Sequence, residues 1–263
     1  MQQMYDTIQY QVQEQVGIIT LNRPEKLNTL SIQMREELHS LLDVIEADYQ
    51  VRTVLLWGSE TLFGAGADLI GSRLEKPTPL TAYKSSMMLH ALCDRLADFP
   101  KPTVCAVGGY CLGGSLEMAL ACDIRFVSRN AKIGLTEVNL GSIPGAGGTQ
   151  RLPRLVGPSF AKEMLFTGKK YSGADAYRMG LANYLVDEGT LFDQAFGFAK
   201  QIATRAPLAM AQAKCCVDKG LEMGIDEGMD LEARAMGLLV ATEDLQEGSR
   251  AFLEKRPAEF KGK

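Results

Sequence analysis

Two short apolar runs, each leading into glycine, constrain this chain most: TVLLWGS at residues 53–59 and PTVCAVGG at residues 102–109. Neither alternates apolar with polar residues, so neither suits a strand with one face in water. A continuous apolar strand belongs in a parallel sheet covered on both faces. Helical patterns surround these runs. MMLHALCDRLADF precedes the second and stops before Pro100 and Pro102, where a helix is hard to continue. IRFVS at 124–128 reads as a further strand. The order strand, helix, strand, helix, strand, helix, strand predicts an α/β fold with right-handed crossovers.

The start of the chain fits the same plan. Ile8, Tyr10 and Val12 alternate, as do Val16 and Ile18 after a turn, which predicts two strands ending near Asn22. The loop NRPEKLN follows. Met34, Leu38, Leu41, Leu42 and Ile45 then share one helical face, with Ser31 as the N-cap. After about residue 190 the character changes. LFDQAFGFAKQIATRAP, PLAMAQAKCCVDKG, DEGMDLEARAMGLLVAT and EDLQEGSRAFLEKR all read as helices, with no strand between them.

Composition removes several classes of function. The 263 residues are 46% hydrophobic and 23% charged, ample for a sizeable core. A net charge of −4 gives no bulk attraction for nucleic acid or an anionic membrane. An anionic ligand would have to be held by local groups. No apolar run approaches the roughly 20 residues that span a bilayer. The opening MQQMYDTIQYQ has neither the basic nor the apolar region of a signal peptide. The six cysteines, Cys93, Cys105, Cys111, Cys122, Cys215 and Cys216, form no CxxC pair, and only His39 and His90 could join them in a metal set. The expectation is a cytoplasmic protein with free thiols.

Three segments carry residues suited to chemistry. In GGYCLGGSLEMALACDI, residues 108–124, a helix opens near Gly114 and places one carboxylate, Glu117, in an otherwise apolar first turn. Glycines there allow a sharp turn and close approach of a ligand, and the helix start presents unpaired N–H groups. A glutamate at that place is also favoured by helix electrostatics alone. The second segment, KIGLTEVNLGSIPGAGGTQRL at 132–152, sets Glu137 among hydrophobic neighbours before a glycine-rich loop, Gly141 to Gly148. Two such glutamates are a candidate acid/base pair. The third, FGAGADL at 63–69, could expose backbone amides to an oxyanion.

These three segments resemble the crotonase superfamily, the enoyl-CoA hydratases and isomerases. LNRPEKLNTLS near the start and FLEKRPAEF at residues 252–260 extend the resemblance over essentially the whole chain. It implies a spiral core of ββα turns over residues 1–190, binding acyl-CoA, and a helical C-terminal oligomerisation region over residues 191–263. It implies a homo-trimer or a dimer of trimers, and no cofactor beyond the coenzyme A carried by the substrate. Carried over residue by residue, it implies oxyanion-hole amides at Ala67 and Gly114. Glu117 would activate water, Glu137 would deliver a proton, and the amide of Gly145 would orient the water. Arg23, Lys26, Ala65, Asp68, Leu69 and Lys255 are the implied coenzyme A contacts. Gly108-Gly109 and Ser115 depart from the commonest family pattern, and residues 71–90 are expected to border the acyl pocket.

Within the resemblance, hydration of an enoyl-CoA is the first expectation. A double-bond isomerase, or a hydratase of a cyclic or branched dienoyl-CoA, is the alternative. Isomerases often need only the second glutamate, so Glu117 favours hydration. Two other classes find less in the sequence. A serine peptidase using Ser115 would need a histidine base, and neither histidine lies in a recognisable motif. A nucleic-acid-binding member would need a basic stripe, whereas MREELHSLLDVIEADYQ is acidic.

Overall fold

The computed structural model describes residues 5–68 and 78–263. Leu69 and part of the expected acyl-pocket stretch, residues 71–77, lie outside the described residues. The chain opens with a hairpin of β1 (Ile8–Gln13) and β2 (Val16–Leu21), joined through Glu14 and Gln15, both at positive φ. Such a two-residue turn matches the right-handed twist of the strands.

From β2 the chain winds between two sheets. β3 (Thr53–Trp57), β5 (Thr103–Val107), β7 (Ile124–Ser128) and β10 (Tyr184–Val186) extend the first sheet in the order β1-β2-β3-β5-β7-β10, parallel from β2 onward. β4 (Leu62–Gly64), β6 (Tyr110–Leu112), β8 (Lys132–Gly134) and β9 (Tyr171–Ser172) form the second sheet, in that order. The helices α1 (Ile32–Ala47), α2 (Pro79–Ala97), α3 (Gly114–Ala121) and α4 (Gly148–Thr167) complete the turns, and short α5 (Gly173–Arg178) leads to β10. Three successive ββα turns result: β3-β4-α2, β5-β6-α3 and β7-β8-α4. Gly108-Gly109 is the hinge between sheets in the second turn. Gly109 sits at φ +52, and a Cβ there would overlap the Thr61 carbonyl.

The main sheet divides its side chains by the period of two expected of strands. Ile19, Val54, Leu56 and Cys105 face the helices α1–α4 and join one buried cluster with Met34, Leu38, Leu92 and Leu116. Ile18, Leu55, Val104 and Ala106 face the other way, onto Leu191, Ala195, Ala199 and Ala203 of α6 (Leu191–Ala203). Ser31 caps α1 as the sequence predicts, accepting the Met34 amide at 3.1 Å.

Beyond α6, α7 (Pro207–Gly220), α8 (Ile225–Val240) and α9 (Glu243–Glu254) leave the core. α7 buries no residue fully and is fastened by ion pairs: Lys214 to Asp123 at 2.9 Å, and Lys219 to Asp98 at 3.0 Å. The last residues fold back on α9, where buried Asp244 accepts the amides of Lys261 and Gly262. Among the described residues no helix is long and apolar enough to cross a membrane.

Candidate active site

Loops from all three ββα turns meet at the N-terminus of α3. Gly113 precedes that helix at φ +52 and Gly114 is its first residue. The turn after β4 comes alongside. Ser115, fully buried, accepts the Gly66 amide at 3.0 Å and fixes this turn against α3. The approach is close: a Cβ on Gly66 would lie 3.4 Å from the Gly114 nitrogen, and one on Gly114 would lie 3.5 Å from the Ala67 nitrogen. Neither the Ala67 nor the Gly114 amide donates to a described residue outside its own helix or strand. Full burial and the accepted Gly66 amide give the Ser115 hydroxyl a role in holding the turn and count against the nucleophile reading.

Glu117 lies on the first turn of α3 and is only 2% exposed. Its Oε1 accepts two backbone amides from the glycine-rich loop, Ala146 at 2.7 Å and Gly148 at 2.8 Å. Burial pushes its carboxyl above the ordinary range, and the Gly148 and Ala146 amides pull it back, with a smaller pull from Gly145. Glu137 opens a 3-10 turn, Glu137–Leu140, after β8. Its Oε2 is buried and has no hydrogen-bond partner among the described residues, and its Oε1 packs over Gly113, where a Cβ would come within 3.0 Å. Burial, with the nearby Glu117 charge adding to it, pushes Glu137 up to about 7. Two carboxyls thus lie close enough for the charge of one to act on the other, one held by amide donors and one with an oxygen unpartnered among the described residues.

α2 forms the wall beside Glu117. Ser86, His90, Cys93 and Asp94 fall on one side of it, at the i, i+4, i+7, i+8 spacing of a helix face. Ser86 donates to the Gly145 carbonyl at 2.6 Å. Asp94 pairs with Arg151 of α4 at 2.6 Å, and Arg151 donates to the Ala146 carbonyl at 3.1 Å. Cys93 is buried near them, and burial pushes its thiol up to about 12. His90 is close enough to influence the Glu117 charge.

The loop after β2 flanks the other side. Buried Asn28 accepts the Arg23 amide and donates to the Phe63 carbonyl. The Leu30 amide donates to Gly66, and the Ala65 amide to Leu27. These bonds bring four of the residues expected to contact coenzyme A into one neighbourhood: Arg23, Lys26, Ala65 and Asp68. Arg23 is ion-paired with Asp68 at 2.8 Å, and Lys26 is exposed. Lys255 stands apart, at the C-cap of α9 with φ 53. Sequence reasoning missed Asn28, Ser86, Arg151, Ala146 and Gly148. Only the glycine-rich composition of residues 141–148 hinted at the last two.

Residues 11–263 match the enoyl-CoA hydratase/isomerase family. The chain is 38% identical to the short-chain-enoyl-CoA hydratase of Clostridium acetobutylicum, over 93% of both chains. It is 36% identical to the crotonyl-CoA hydratase of Syntrophomonas wolfei, covering 97% of this chain and 98% of that one. Among solved structures, an enoyl-CoA hydratase from Bacillus anthracis superposes with a TM-score of 0.93 at 36% identity, covering 98% of this chain and 100% of the other.

Proposed function

This chain belongs to the enoyl-CoA hydratase/isomerase family, and we propose that it adds water reversibly across the α,β double bond of an enoyl-CoA thioester. The observation that carries this reading is the pairing of Glu117 with Glu137. Water is weakly nucleophilic, so a base must take its proton, and an acid must supply another to the α-carbon. Glu117, its Oε1 bound by the amides of Ala146 and Gly148, suits the base. Glu137, pushed up to about 7 with a buried unpartnered oxygen, suits the acid.

In the reaction the water oxygen bonds to the β-carbon while Glu117 accepts the water's proton. The π electrons move toward the α-carbon and the thioester oxygen. The amides of Ala67 and Gly114 take the charge on that oxygen, as an oxyanion hole does. Glu137 then gives its proton to the α-carbon. Transfer of a proton from Glu117 back to Glu137 resets the pair. The amide of Gly145 helps orient the attacking water. Arg23 and Lys26 meet the coenzyme A phosphates, with Lys255 a further candidate, and no other cofactor enters.

The helical region serves assembly into a trimer or a dimer of trimers. Phe252 and Leu253 are 83% and 80% exposed, beside an apolar cleft lined by Leu208, Met236, Leu239 and Leu245. The free cysteines accord with a cytoplasmic protein.

The test is loss of the enoyl-thioester absorbance across a panel of acyl-CoAs, with wild type, Glu117→Gln and Glu137→Gln. Both substitutions should slow hydration by about a hundredfold or more and leave ester binding nearly intact. An isomerase would need only Glu137. Full turnover by Glu117→Gln, with double-bond migration as the product, would replace the hydratase reading.

A further inference from the structure

The N–H that binds Glu117 and the carbonyl that accepts from Ser86 belong to the same peptide unit. The Gly145 carbonyl and the Ala146 amide are its two ends. Ser86 Oγ donates to the first at 2.6 Å, and the second donates to Glu117 Oε1 at 2.7 Å. A hydroxyl on α2, a peptide and a carboxylate therefore form one continuous relay.

We propose that Ser86 is a positioning residue for Glu117: its hydroxyl locks the Gly145–Ala146 peptide so that the N–H, and not the carbonyl, faces the carboxylate. Three observations favour this over an incidental contact. First, the peptide sits in a glycine-rich loop, where backbone rotation meets little steric resistance. Gly145 itself is open enough that, among the described residues, a Cβ would meet only Ser86, at 3.5 Å. Something outside the loop must therefore choose its orientation. Second, the wrong orientation is costly, because a carbonyl oxygen turned toward a buried carboxylate leaves that carboxylate short of a donor. Third, donation to the carbonyl end of a peptide polarises the unit and strengthens its N–H as a donor. Arg151, braced by Asp94, holds the next carbonyl, that of Ala146. Two consecutive carbonyls are thus drawn away from Glu117 while the Ala146 and Gly148 amides turn toward it.

The inference rests on the hydratase reading only for its effect on turnover; the orientation of the peptide is independent of the reaction. Among the described residues, the charged and titratable groups around Glu117 are His90 and Cys93 on α2, with Asp94 and Arg151 beside Cys93, and Glu137 from the loop after β8. None replaces a lost amide donor.

The experiment compares wild type, Ser86→Ala and Ser86→Thr. Alanine favours a helix more than serine does, so the first variant should fold. Threonine restores the hydroxyl. Glu117 ionisation is followed directly by infrared difference titration of the free enzyme, with Glu117→Gln as the reference that assigns the band. Weaker donation destabilises the carboxylate, so its titration in Ser86→Ala should move upward by about half a pH unit or more. The acid limb of kcat should move with it, KM should change little, and Ser86→Thr should restore the wild-type titration. A Glu117 titration identical in Ser86→Ala and wild type overturns the proposal, whatever the activity. If wild type hydrates no enoyl-CoA but the Glu117 band still moves in Ser86→Ala, the positioning role stands and the reaction reading falls.

Discussion

Gly148 donates its amide to Glu117 Oε1 at 2.8 Å, and a Cβ on Gly148 would fall 3.0 Å from that same oxygen. The residue serves Glu117 twice, by what it carries and by what it lacks. It also has no slack elsewhere, since the Cβ would meet Pro144 at 2.9 Å and Leu135 at 3.0 Å.

Gly148→Ala should therefore damage catalysis beyond its effect on folding. Overpacking of this kind costs about 1–3 kcal/mol, which the fold should survive. The displaced carboxylate should lower kcat by about tenfold or more, as misplacement of a reacting group does. Urea unfolding beside steady-state kinetics checks it; a stable variant with unchanged kcat would contradict the geometry.

The pH dependence follows from Glu137. As the proton donor it must be protonated, and burial holds it up to about 7. Activity should therefore be present below that value and fall as pH rises through it. The kcat/KM profile of the free enzyme is the measurement. An alkaline limb no different from that of an ordinary exposed glutamate would count against Glu137 as the acid.

Gly114→Pro removes one N–H where α3 begins, a position at which proline is well tolerated in helices. The loss of one oxyanion donor should slow hydration by about a hundredfold or more. Circular dichroism and an unchanged particle mass would establish that the variant is folded. Normal turnover in such a sample would remove this amide from the mechanism.

Phe252→Glu places a charge on a side chain that is 83% exposed at the end of α9. If that face is covered by another copy, burying the charge unpaired is costly. Sedimentation should then show smaller particles, with the core still folded. An unchanged mass would move the interface elsewhere.

The sequence patterns reached β3, β5 and β7 because they are apolar runs, the opening hairpin through its alternation, and α1 because Ser31 and five apolar positions mark it; β10, three residues long, was not read. The second sheet was harder to read. Tyr110–Leu112, Lys132–Gly134 and Tyr171–Ser172 are two or three residues long, too short for a period of two to emerge. α2 begins at Pro79, capped by Thr78, ahead of the apolar pattern from which the helix was read, because its first two turns are exposed. Within the site, Glu117 and Glu137 stood out as carboxylates among apolar residues. Ser86 and Arg151 did not. Each acts by binding a backbone carbonyl in a loop remote in sequence, and such a bond leaves no periodic trace. Arg23 and Asp68 were both singled out, but their ion pair came only with the fold.

Cys93, Cys105, Cys111 and Cys122 lie buried around α3, and burial raises the Cys93, Cys105 and Cys111 thiols. A thiol reagent must reach the sulfur, so these four buried sulfurs are silent toward it while the core is closed. Cys215, exposed on α7, answers at once. The protein thus carries its own clock: labelling at Cys215 and the half-buried Cys216 beside it counts molecules, and the slower labelling of the four buried sulfurs times the opening of the layer on which Glu117 stands.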